Sequence, residues 1–392
     1  MSNTQKKNVP ELRFPGFEGE WEEKKLGEVA KIYDGTHQTP KYTNEGIKFL
    51  SVENIKTLNS SKYISEEAFE KEFKIRPEFG DILMTRIGDI GTPNIVSSNE
   101  KFAYYVSLAL LKTKNLNSYF LKNLILSSSI QNELWRKTLH VAFPKKINKN
   151  EIGKIKINYP KKQEQQKIGK FFSKLDRQIE LEEQKLELLQ QQKKGYMQKI
   201  FSQELRFKDE NGEDYPNWTN ERLGEVTTVT MGQSPKSVNY TDNSNDTVLI
   251  QGNADIENGL INPRIYTREV TKLIQKDEII LTVRAPVGKL AMAQINACIG
   301  RGVCSIKGDK FLYYFLEWFA TQNKWIRFSQ GSTFESISGN DIRNIHIKIP
   351  VEDERTKIIK LLNSLDVLNS KTDLKIQNLK QRKKSLLQKL FI

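Results

Sequence analysis

Cysteine and histidine are scarce in this chain of 392 residues, which holds two cysteines and three histidines. Both cysteines lie in the segment ACIGRGVC, as Cys298 and Cys304, and no second cysteine pair or histidine is near them in the sequence. A zinc site with the usual ligand spacing is therefore not expected, and we predict no metal site. Such low cysteine use is typical of proteins kept in a reducing compartment.

Long apolar runs are also missing. No segment approaches the roughly 18 uncharged apolar residues of a membrane-spanning helix. The first residues, MSNTQKKNVPELRF, lack the apolar core of an export signal. We therefore expect no membrane span and no export, and we predict a cytoplasmic location.

Motifs for catalysis are absent as well. The sequence has no G-x-x-x-x-G-K-[ST] loop and no G-x-G-x-x-G after a strand pattern. His37 and His140 have no evident nucleophile partner, and His346 lies in a strand pattern. The segment INPRIY at Ile261–Tyr266 weakly resembles the Asn-Pro-Pro-aromatic motif of amino-methyltransferases, but Arg264 breaks it. We predict no catalytic residues and no cofactor bound by this chain.

Positive charge is present in excess. The chain has 62 basic and 48 acidic residues, which gives a formal net charge of +14. An excess of this size favours polyanionic partners, and nucleic acid is the first candidate. A generally basic protein without such a partner remains the alternative, because charge alone carries no sequence information.

The second half of the chain repeats the first. The letters ELRF at Glu11–Phe14 return at Glu204–Phe207, and LGEV at Leu26–Val29 returns at Leu223–Val226. DILMTRIGDIG matches EIILTVRAPVG, INKNEIGKIKINYP matches ISGNDIRNIHIKIP, and KKGYMQKIF matches KKSLLQKLF. So many anchors in the same order indicate an internal duplication.

Each repeat has the same order of patterns. Short β-rich runs come first, with one helical stretch near Ser118–Leu139 in the first repeat and near Lys310–Phe328 in the second. An alternating strand, a proline and a long helical pattern come next. The predicted fold class is α+β, with two mixed α/β domains joined by two long antiparallel coiled-coil helices in a pseudo-twofold repeat. The predicted boundaries are 12–160 and 204–350 for the mixed domains, and 161–203 and 351–392 for the helical segments.

Both helical segments carry a heptad stripe whose steps alternate between four and three residues. The stripe also includes Lys193 and Lys383, and polar residues interrupt it at Glu182, Asn369 and Thr372, where they can fix the register. The apolar positions predicted to form the seam between the helices are Ile168, Phe172, Leu175, Ile179, Leu186, Leu189, Ile200, Ile358, Leu362, Leu365, Ile376, Leu379, Leu386 and Leu390.

The two helical segments end differently. Phe201 continues into the second copy of ELRF, whereas Phe391 is followed by Ile392 alone. The first copy of ELRF lies near the N-terminus and can supply the missing continuation. We therefore expect the two termini to lie close together.

Two loops at equivalent places carry side chains suited to reading base edges. Each has a glycine, then a proline after a small hydroxyl residue, then a lysine and later a tyrosine. An ordinary Gly/Pro turn is the alternative interpretation. The candidates in Asp34–Tyr42 are Thr36, His37, Gln38, Thr39, Lys41 and Tyr42, and those in Met231–Tyr240 are Gln233, Ser234, Lys236, Asn239 and Tyr240.

Further candidates lie outside these loops. Arg86 and Arg284 come after strand patterns, although Arg86 could instead pair with Asp81 or Asp89. Residues near the helical stretches could bind DNA or form a solvated face, and these are Lys137, His140, Lys145, Lys146, Gln330, Ser332 and Thr333.

This layout resembles the specificity subunit of type I restriction–modification enzymes. The likeness rests on the paired openings EWEEKKLGEV and NWTNERLGEV, and on IKINYPKKQEQQKI and IHIKIPVEDERTKI leading into long heptad helices. It extends from about Leu12 to Ile392, and the order and the duplication match together.

The resemblance implies a non-catalytic subunit that binds double-stranded DNA. Each mixed domain would be a target recognition domain reading one half of a bipartite target, and the helices would set the spacer. About 36 helical residues span about 54 Å, or around one and a half turns of DNA. Two modification subunits using S-adenosylmethionine, and two restriction subunits using ATP and Mg²⁺, would be the partners. The alternatives are a free-standing bipartite DNA-binding protein and a coiled-coil protein scaffold.

Overall fold

A computed structural model describes residues 8–325 and 336–392. The chain divides into two compact units. The first unit holds the chain up to Glu183 together with Leu374–Ile392, and the second holds Gln184–Asp373. Both long helices therefore contribute residues to both units.

The first unit is a mixed α/β domain. Its strands are β1 (Glu22–Lys25), β2 (Ala30–Asp34), β3 (Ile47–Leu50), β4 (Tyr63–Ile64), β5 (Ile82–Ile87), β6 (Asp89–Ile95), β7 (Phe102–Tyr104), β8 (Leu108–Thr113) and β9 (Lys156–Tyr159). Its helices are α1 (Leu26–Val29), α2 (Glu66–Glu72), α3 (Ser118–Ile125), α4 (Ser128–Arg136), α5 (Lys149–Gly153) and the first part of α6 (Lys162–Phe201).

Two sheets form the centre of the first unit. One is antiparallel with strand order β2-β8-β5-β6, and the other has the order β4-β3-β7 with β3 and β7 parallel. Strand β5 is central and apolar on both faces, with Ile82, Leu83 and Met84 fully buried. Strands β1 and β9 pair separately, so the opening of the repeat lies beside the strand that precedes α6.

The helical stretch predicted near Ser118–Leu139 is not continuous, because the chain forms two helices there, α3 and α4, with a break between them. Ser127 has extended backbone angles, and its hydroxyl donates to the Leu124 carbonyl at 2.6 Å. Ser127 occupies the N-cap position of α4, although its hydroxyl makes no capping bond to that helix. The break turns the chain so that Ile130 and Leu134 are buried as well as Phe120.

The second unit has the same plan with different sheets. Its strands are β10 (Thr219–Arg222), β11 (Val229–Met231), β12 (Tyr240–Thr241), β13 (Thr247–Ile250), β14 (Ile256–Glu257), β15 (Leu260–Ile261), β16 (Tyr266–Thr267), β17 (Leu273–Ile274), β18 (Ile279–Thr282), β19 (Leu290–Met292), β20 (Ala297–Ile299), β21 (Val303–Ile306) and β22 (His346–Ile349). Its helices are α7 (Leu223–Val226), α8 (Lys310–Thr321), α9 (Gly339–Arg343) and the first part of α10 (Glu352–Lys389).

The sheets of the second unit have six and five strands. Their orders are β11-β21-β18-β19-β15-β14 and β12-β16-β13-β20-β17, and β10 pairs with β22 as β1 pairs with β9. Both cysteines are fully buried in this unit. The predicted alternating strands before the prolines are confirmed as β9 and β22.

The two long helices are continuous over 40 and 38 residues. Within the first unit they run antiparallel, because Lys383 binds Asp176 at 2.6 Å and Lys380 binds Glu183 at 2.7 Å. Within the second unit, Lys193 binds Asp366 at 2.7 Å. Every predicted apolar seam residue is buried or half-buried.

The end of α10 contacts the N-terminal segment, as expected. The Leu12 amide donates to the Lys389 carbonyl at 2.8 Å, and the Lys389 ammonium lies 3.0 Å from the Glu11 carboxylate. The equivalent bond in the second unit runs from the Leu205 amide to the Lys199 carbonyl at 3.0 Å. The segment that follows α6 in sequence thus packs on the end of α6. Residues from the start of the chain take the same place at the end of α10.

Candidate nucleic-acid interface

The first loop, Asp34–Tyr42, leaves strand β2 along a narrow path. A Cβ atom added at Gly35 would lie 2.4 Å from the Tyr104 carbonyl oxygen, so only glycine fits there. The Thr36 amide donates to the same carbonyl at 3.1 Å. The loop is therefore anchored at its start. Beyond that point its predicted side chains are exposed, and these are His37, Gln38, Thr39, Lys41 and Tyr42.

Arg86 lies inside the fold. It is 5% exposed, its guanidinium is paired with Asp34, and its Nε donates to the Ile147 carbonyl at 3.0 Å. Of the pairings expected from the sequence, neither forms: Asp81 binds Lys112, and the partner of Arg86 is Asp34. The Arg86 side chain therefore connects the start of the first loop, at Asp34, with the segment that ends at Ile147. A direct contact of Arg86 with DNA stays a prediction, and the burial does not favour it.

The segment that Arg86 reaches is residues 137–147, which we name the basic segment. Lys145 and Lys146 are exposed in it, and Lys137 is half-buried with its Nζ 3.9 Å from Glu151 Oε2. The His140 ring packs on Trp135 with ring centroids 4.7 Å apart, and its Nε2 lies 2.9 Å from the Trp135 carbonyl oxygen. Lys145 and Lys146 therefore form an exposed cationic surface in the unit that holds the first loop.

The candidate DNA-binding residues predicted from the sequence do not include the apolar residues of the basic segment. Val141 and Phe143 are 99% and 104% exposed, beside the half-exposed Leu139. The sequence feature that indicates them is a run of seventeen residues, Leu134–Asn150, that contains both basic and apolar residues and no aspartate or glutamate. A prediction from charge alone selects the lysines and omits the apolar residues near them in the segment.

The second loop, Met231–Tyr240, is fastened more tightly than the first. The Lys236 amide and the Asn239 side-chain amide both donate to one Glu269 oxygen, at 3.0 and 2.6 Å. These donors lower the pKa of the Glu269 carboxyl, the Lys236 amide being the larger cause. Asn239 is thus engaged within the fold, while Lys236 points to solvent.

The other side chains of the second loop are likewise either exposed to solvent or bonded within the fold. Gln233 is exposed, whereas the Ser234 hydroxyl accepts from the Arg301 amide at 3.1 Å. The Tyr240 hydroxyl donates to the Pro235 carbonyl at 3.4 Å. Arg301 itself is exposed next to this loop and was not identified from the sequence.

Arg284 lies two residues after the end of β18 and is exposed. Its backbone forms an isolated antiparallel β-bridge with Ser336. This position corresponds in the repeat to Ile87, whose backbone bridges Lys146. The remaining candidates, Gln330, Ser332 and Thr333, lie outside the described residues. The structure thus gathers the first loop and the basic segment in one unit, and the second loop with Arg284 and Arg301 in the other.

Each unit also contains a buried acidic anchor at the start of its long helix. Glu164 is buried and accepts two bonds from the Arg13 guanidinium, at 2.8 and 2.7 Å. Glu354 is likewise buried and binds Arg206 at 3.1 and 2.7 Å. The arginine of each ELRF motif therefore docks on the acidic residue of a long helix. Each glutamate lies 151 or 148 residues further along the chain than its arginine, so the ELRF motif alone does not identify this partner.

The seam contains a charged cluster in the second unit. Lys193 is 8% exposed, and its ammonium lies 2.7 Å from both a Glu317 oxygen and an Asp366 oxygen. Asp366 also accepts the Tyr314 hydroxyl at 2.7 Å. Burial raises the pKa of Glu317 above its ordinary value, and Lys193 opposes that rise.

No described helix is long and apolar enough to cross a membrane. Within the described residues, no group of three or more histidine, cysteine, aspartate or glutamate side chains could hold a metal ion.

Known proteins resemble this chain over most of its length. Two proteins of Methanocaldococcus jannaschii are similar in sequence. One, assigned provisionally as the type I restriction enzyme MjaX specificity subunit, is 28% identical over 89% of this chain and 87% of its own length. The other, the type I restriction enzyme MjaVIII specificity subunit, is 26% identical over 92% of this chain and 89% of its own length.

Solved structures share the fold. The S subunit of a type I restriction–modification system from M. genitalium matches 98% of this chain and 99% of its own, with a TM-score of 0.63 and 17% identity. A chain from a structure of complex assembly and conformational transition in a type I R-M system matches 96% of this chain and 98% of its own, with a TM-score of 0.57 and 21% identity. The predicted fold class, two mixed domains with long paired helices, is confirmed.

A family model described as the type I restriction modification DNA specificity domain matches the chain twice, at residues 18–191 and 215–381. The two matches cover most of the chain and coincide with the two copies of the repeat. The chain therefore belongs to the family of type I restriction–modification DNA specificity proteins.

Proposed function

We propose that this chain is the non-catalytic DNA-specificity subunit of a type I restriction–modification enzyme, and that each mixed domain reads one half of a bipartite target. The observation that carries the proposal is a repeated frame with unlike loops. A frame held constant positions each reader, and a loop that differs lets each read its own bases.

The frame is held by the same bonds in both units. The Leu26 amide donates to the Ile155 carbonyl at 2.8 Å, and the equivalent Leu223 amide donates to the Ile345 carbonyl at 2.8 Å. The loops on this frame differ in length, in side chains and in anchoring. One starts against the Tyr104 backbone and the other is fastened to Glu269. Two copies of one scaffold with unlike loops fit an asymmetric target of two different halves.

The long helices support a second part of the proposal, in which they set the spacer and dock two modification subunits. Charged pairs such as Lys383–Asp176 and Lys193–Asp366 fix the register of the helices within each unit. Helices whose register is fixed cannot slide past each other, and a spacer of constant length requires this.

Partners would supply the chemistry. Two modification subunits would use S-adenosylmethionine to methylate adenines, and two restriction subunits would use ATP and Mg²⁺ to translocate and cut DNA. We place the assembly in the cytoplasm, where these substrates are found. In this proposal the cofactors belong to the partners, and this chain supplies recognition.

The test is to express this chain with the modification subunit from its own operon and to map methyladenine across the host genome. We expect an asymmetric motif of two short blocks around a fixed gap, with an adenine modified in each block. The modification subunit without this chain is the control. A complex that assembles and binds DNA but adds no methylation would contradict the proposal.

The alternatives are a free-standing DNA-binding protein and a coiled-coil scaffold, and the family matches do not favour them. The scaffold makes a distinct prediction, because its function does not need exposed cations. Neutralising Lys41, Lys236 and Arg284 together would leave a scaffold intact, whereas a specificity subunit would lose methylation of its target.

A further inference from the structure

The apolar side chains at the end of the basic segment are unusual in their exposure. Val141 and Phe143 are fully exposed, and they lie only two residues apart. Single exposed apolar residues are common on protein surfaces, but adjacent large ones mark a contact surface more often than chance exposure. We name residues 140–144, HVAFP, the tip.

The backbone holds the tip in place from both sides. The Leu139 amide donates to the Lys146 carbonyl at 2.8 Å, which closes the segment at its base. The Gly88 amide donates to the Lys145 carbonyl at 2.9 Å, and the Ile147 amide donates to the Arg86 carbonyl at 3.0 Å. Phe143 is therefore presented at the end of an anchored loop, which lowers the entropy cost of inserting it into a partner.

Charge identifies the partner. The run Leu134–Asn150 contains no acidic residue. Of its five basic residues, Arg136, Lys137 and Lys149 are paired with Glu133, Glu151 and Asp34, which leaves Lys145 and Lys146 as the exposed cations that are unpaired among the described residues. Lys145 and Lys146 come directly after Phe143 and one proline, and both are exposed. An apolar tip with cations at its base matches duplex DNA, which offers stacked bases between two rows of phosphates.

We propose that Phe143 is an apolar wedge that enters a base step of the target from the minor groove, with Val141 packed beside it and Lys145 and Lys146 on the flanking phosphates. The inference rests on the proposed function and deepens it by assigning one residue to DNA deformation. Inserted phenylalanine side chains partly unstack a base step and kink the duplex. A step that is easily unstacked would then be favoured in the half-target read by this unit, without a hydrogen bond to its bases.

The experiment uses the complex of this chain with its modification subunits and a duplex that contains the mapped target. 2-Aminopurine replaces one base at a time across the half-target, because its fluorescence rises when stacking is lost. The variant is Phe143→Ala, and the matched control is Phe79→Ala. Phe79 is 66% exposed in the same unit but lies in the acidic segment PEFGD.

We expect the wild-type complex to raise the fluorescence at one step, and Phe143→Ala to abolish that rise and weaken Kd about tenfold. Phe79→Ala should match the wild type. The salt dependence of Kd should keep its slope in Phe143→Ala, because no phosphate contact is lost, whereas Lys145→Ala with Lys146→Ala should lower the slope by about two.

Two results would overturn the wedge while leaving the proposed function intact. One is a Phe143→Ala complex with wild-type affinity and the same fluorescence rise. The other is a Phe143→Ala chain that no longer assembles with the modification subunits, which would make the tip a protein-docking residue. A wild-type complex that binds no duplex specifically would overturn both proposals together.

Discussion

At the scale of single residues, Arg86 joins two parts of the candidate interface from inside the first unit. Its guanidinium holds Asp34, where the first loop begins, and the Ile147 carbonyl, where the basic segment ends. Lys149 approaches the same Asp34 carboxylate at 3.5 Å. The position suits a residue that orients others, because a side chain only 5% exposed has little surface to offer DNA.

Arg86→Met should lower the free energy of unfolding by about 2 kcal/mol, because the variant leaves Asp34 poorly paired in a half-buried place. Urea unfolding measures the loss, and Arg284→Met is the exposed control, expected within about 0.5 kcal/mol of the wild type. The double variant Arg86→Met with Asp34→Asn should recover part of the loss. Equal small effects from both single variants would show that the pair does not stabilise the first unit.

The two buried tryptophans of the repeat provide a matched comparison. The Trp218 indole N–H donates to the buried Glu354 carboxylate at 2.8 Å, whereas the Trp21 indole N–H has no partner among the described residues. Trp218→Phe should therefore cost about 1–2 kcal/mol more than Trp21→Phe, because only the first breaks a bond to a charged group. Chemical denaturation of both variants gives the difference. An equal loss would assign the cost to the missing ring atoms alone.

At the scale of elements, the seam combines an apolar stripe with a few charged positions. The heptad pattern places Lys193 and Lys383 in the stripe, and the structure gives each an aspartate on the opposite helix, Asp366 or Asp176. Two polar seam residues also have bonding partners. Glu182 forms a salt bridge with Lys375, and the Thr372 hydroxyl donates a hydrogen bond to the Leu368 carbonyl at 2.8 Å. Buried polar contacts of this kind fix helix register more than they add stability.

Lys193→Met should destabilise the protein by about 1–3 kcal/mol, and more at pH 8 than at pH 5. Burial already raises the pKa of Glu317, and removal of Lys193 raises it further. A carboxyl with a raised folded-state pKa contributes stability at low pH that is lost as pH rises through that pKa, so the deficit grows toward pH 8. Urea unfolding at the two pH values measures it.

Lys383→Met is the control for this prediction. Its partner Asp176 keeps a second cation, Lys122, at 3.3 Å, so a smaller loss is expected. A Lys193 variant whose loss is the same at both pH values would contradict the role assigned to Glu317.

The helix pair as a ruler gives a second prediction at this scale. Removing one heptad from α6 and one from α10 shortens each by about 10 Å and keeps the stripe in phase. The unspecified gap in the target should shorten by about three base pairs, or methylation should be lost. Methyladenine mapping of the variant complex decides the point, and an unchanged gap would contradict the ruler.

At the scale of the whole molecule, duplication is the organising feature. In each unit, the arginine of the ELRF motif forms a salt bridge with a glutamate of a long helix. These pairs are Arg13 with Glu164 and Arg206 with Glu354. Each unit has its own sheets and its own core clusters, which favours independent folding of the two units.

Exchange of residues 15–150 for those of another family member should therefore change one half of the target and leave the other half unchanged. Methyladenine mapping of the chimaera with the modification subunit reads both halves at once. The reciprocal exchange in the second unit is the control. Altered bases in both halves would contradict independent reading.

Several features could be predicted from the sequence because they depend on local or repeated patterns. The duplication, strands β9 and β22, the long helices and the closeness of the N-terminal segment to the end of α10 all belong to this group. The helical stretch predicted near Ser118–Leu139 is divided at Ser127, whose extended backbone separates α3 from α4. A break of this kind is not visible in hydrophobic periodicity.

The repeated architecture and the paired helices follow from the amino-acid sequence alone, since periodicity and self-similarity are properties of the linear chain. Which charged side chains are exposed depends on the folded structure. It buried Arg86 against Asp34, engaged Asn239 with Glu269 and left Phe143 fully exposed. These outcomes depend on residues far apart in sequence, because burial and ion pairing are fixed by packing between elements.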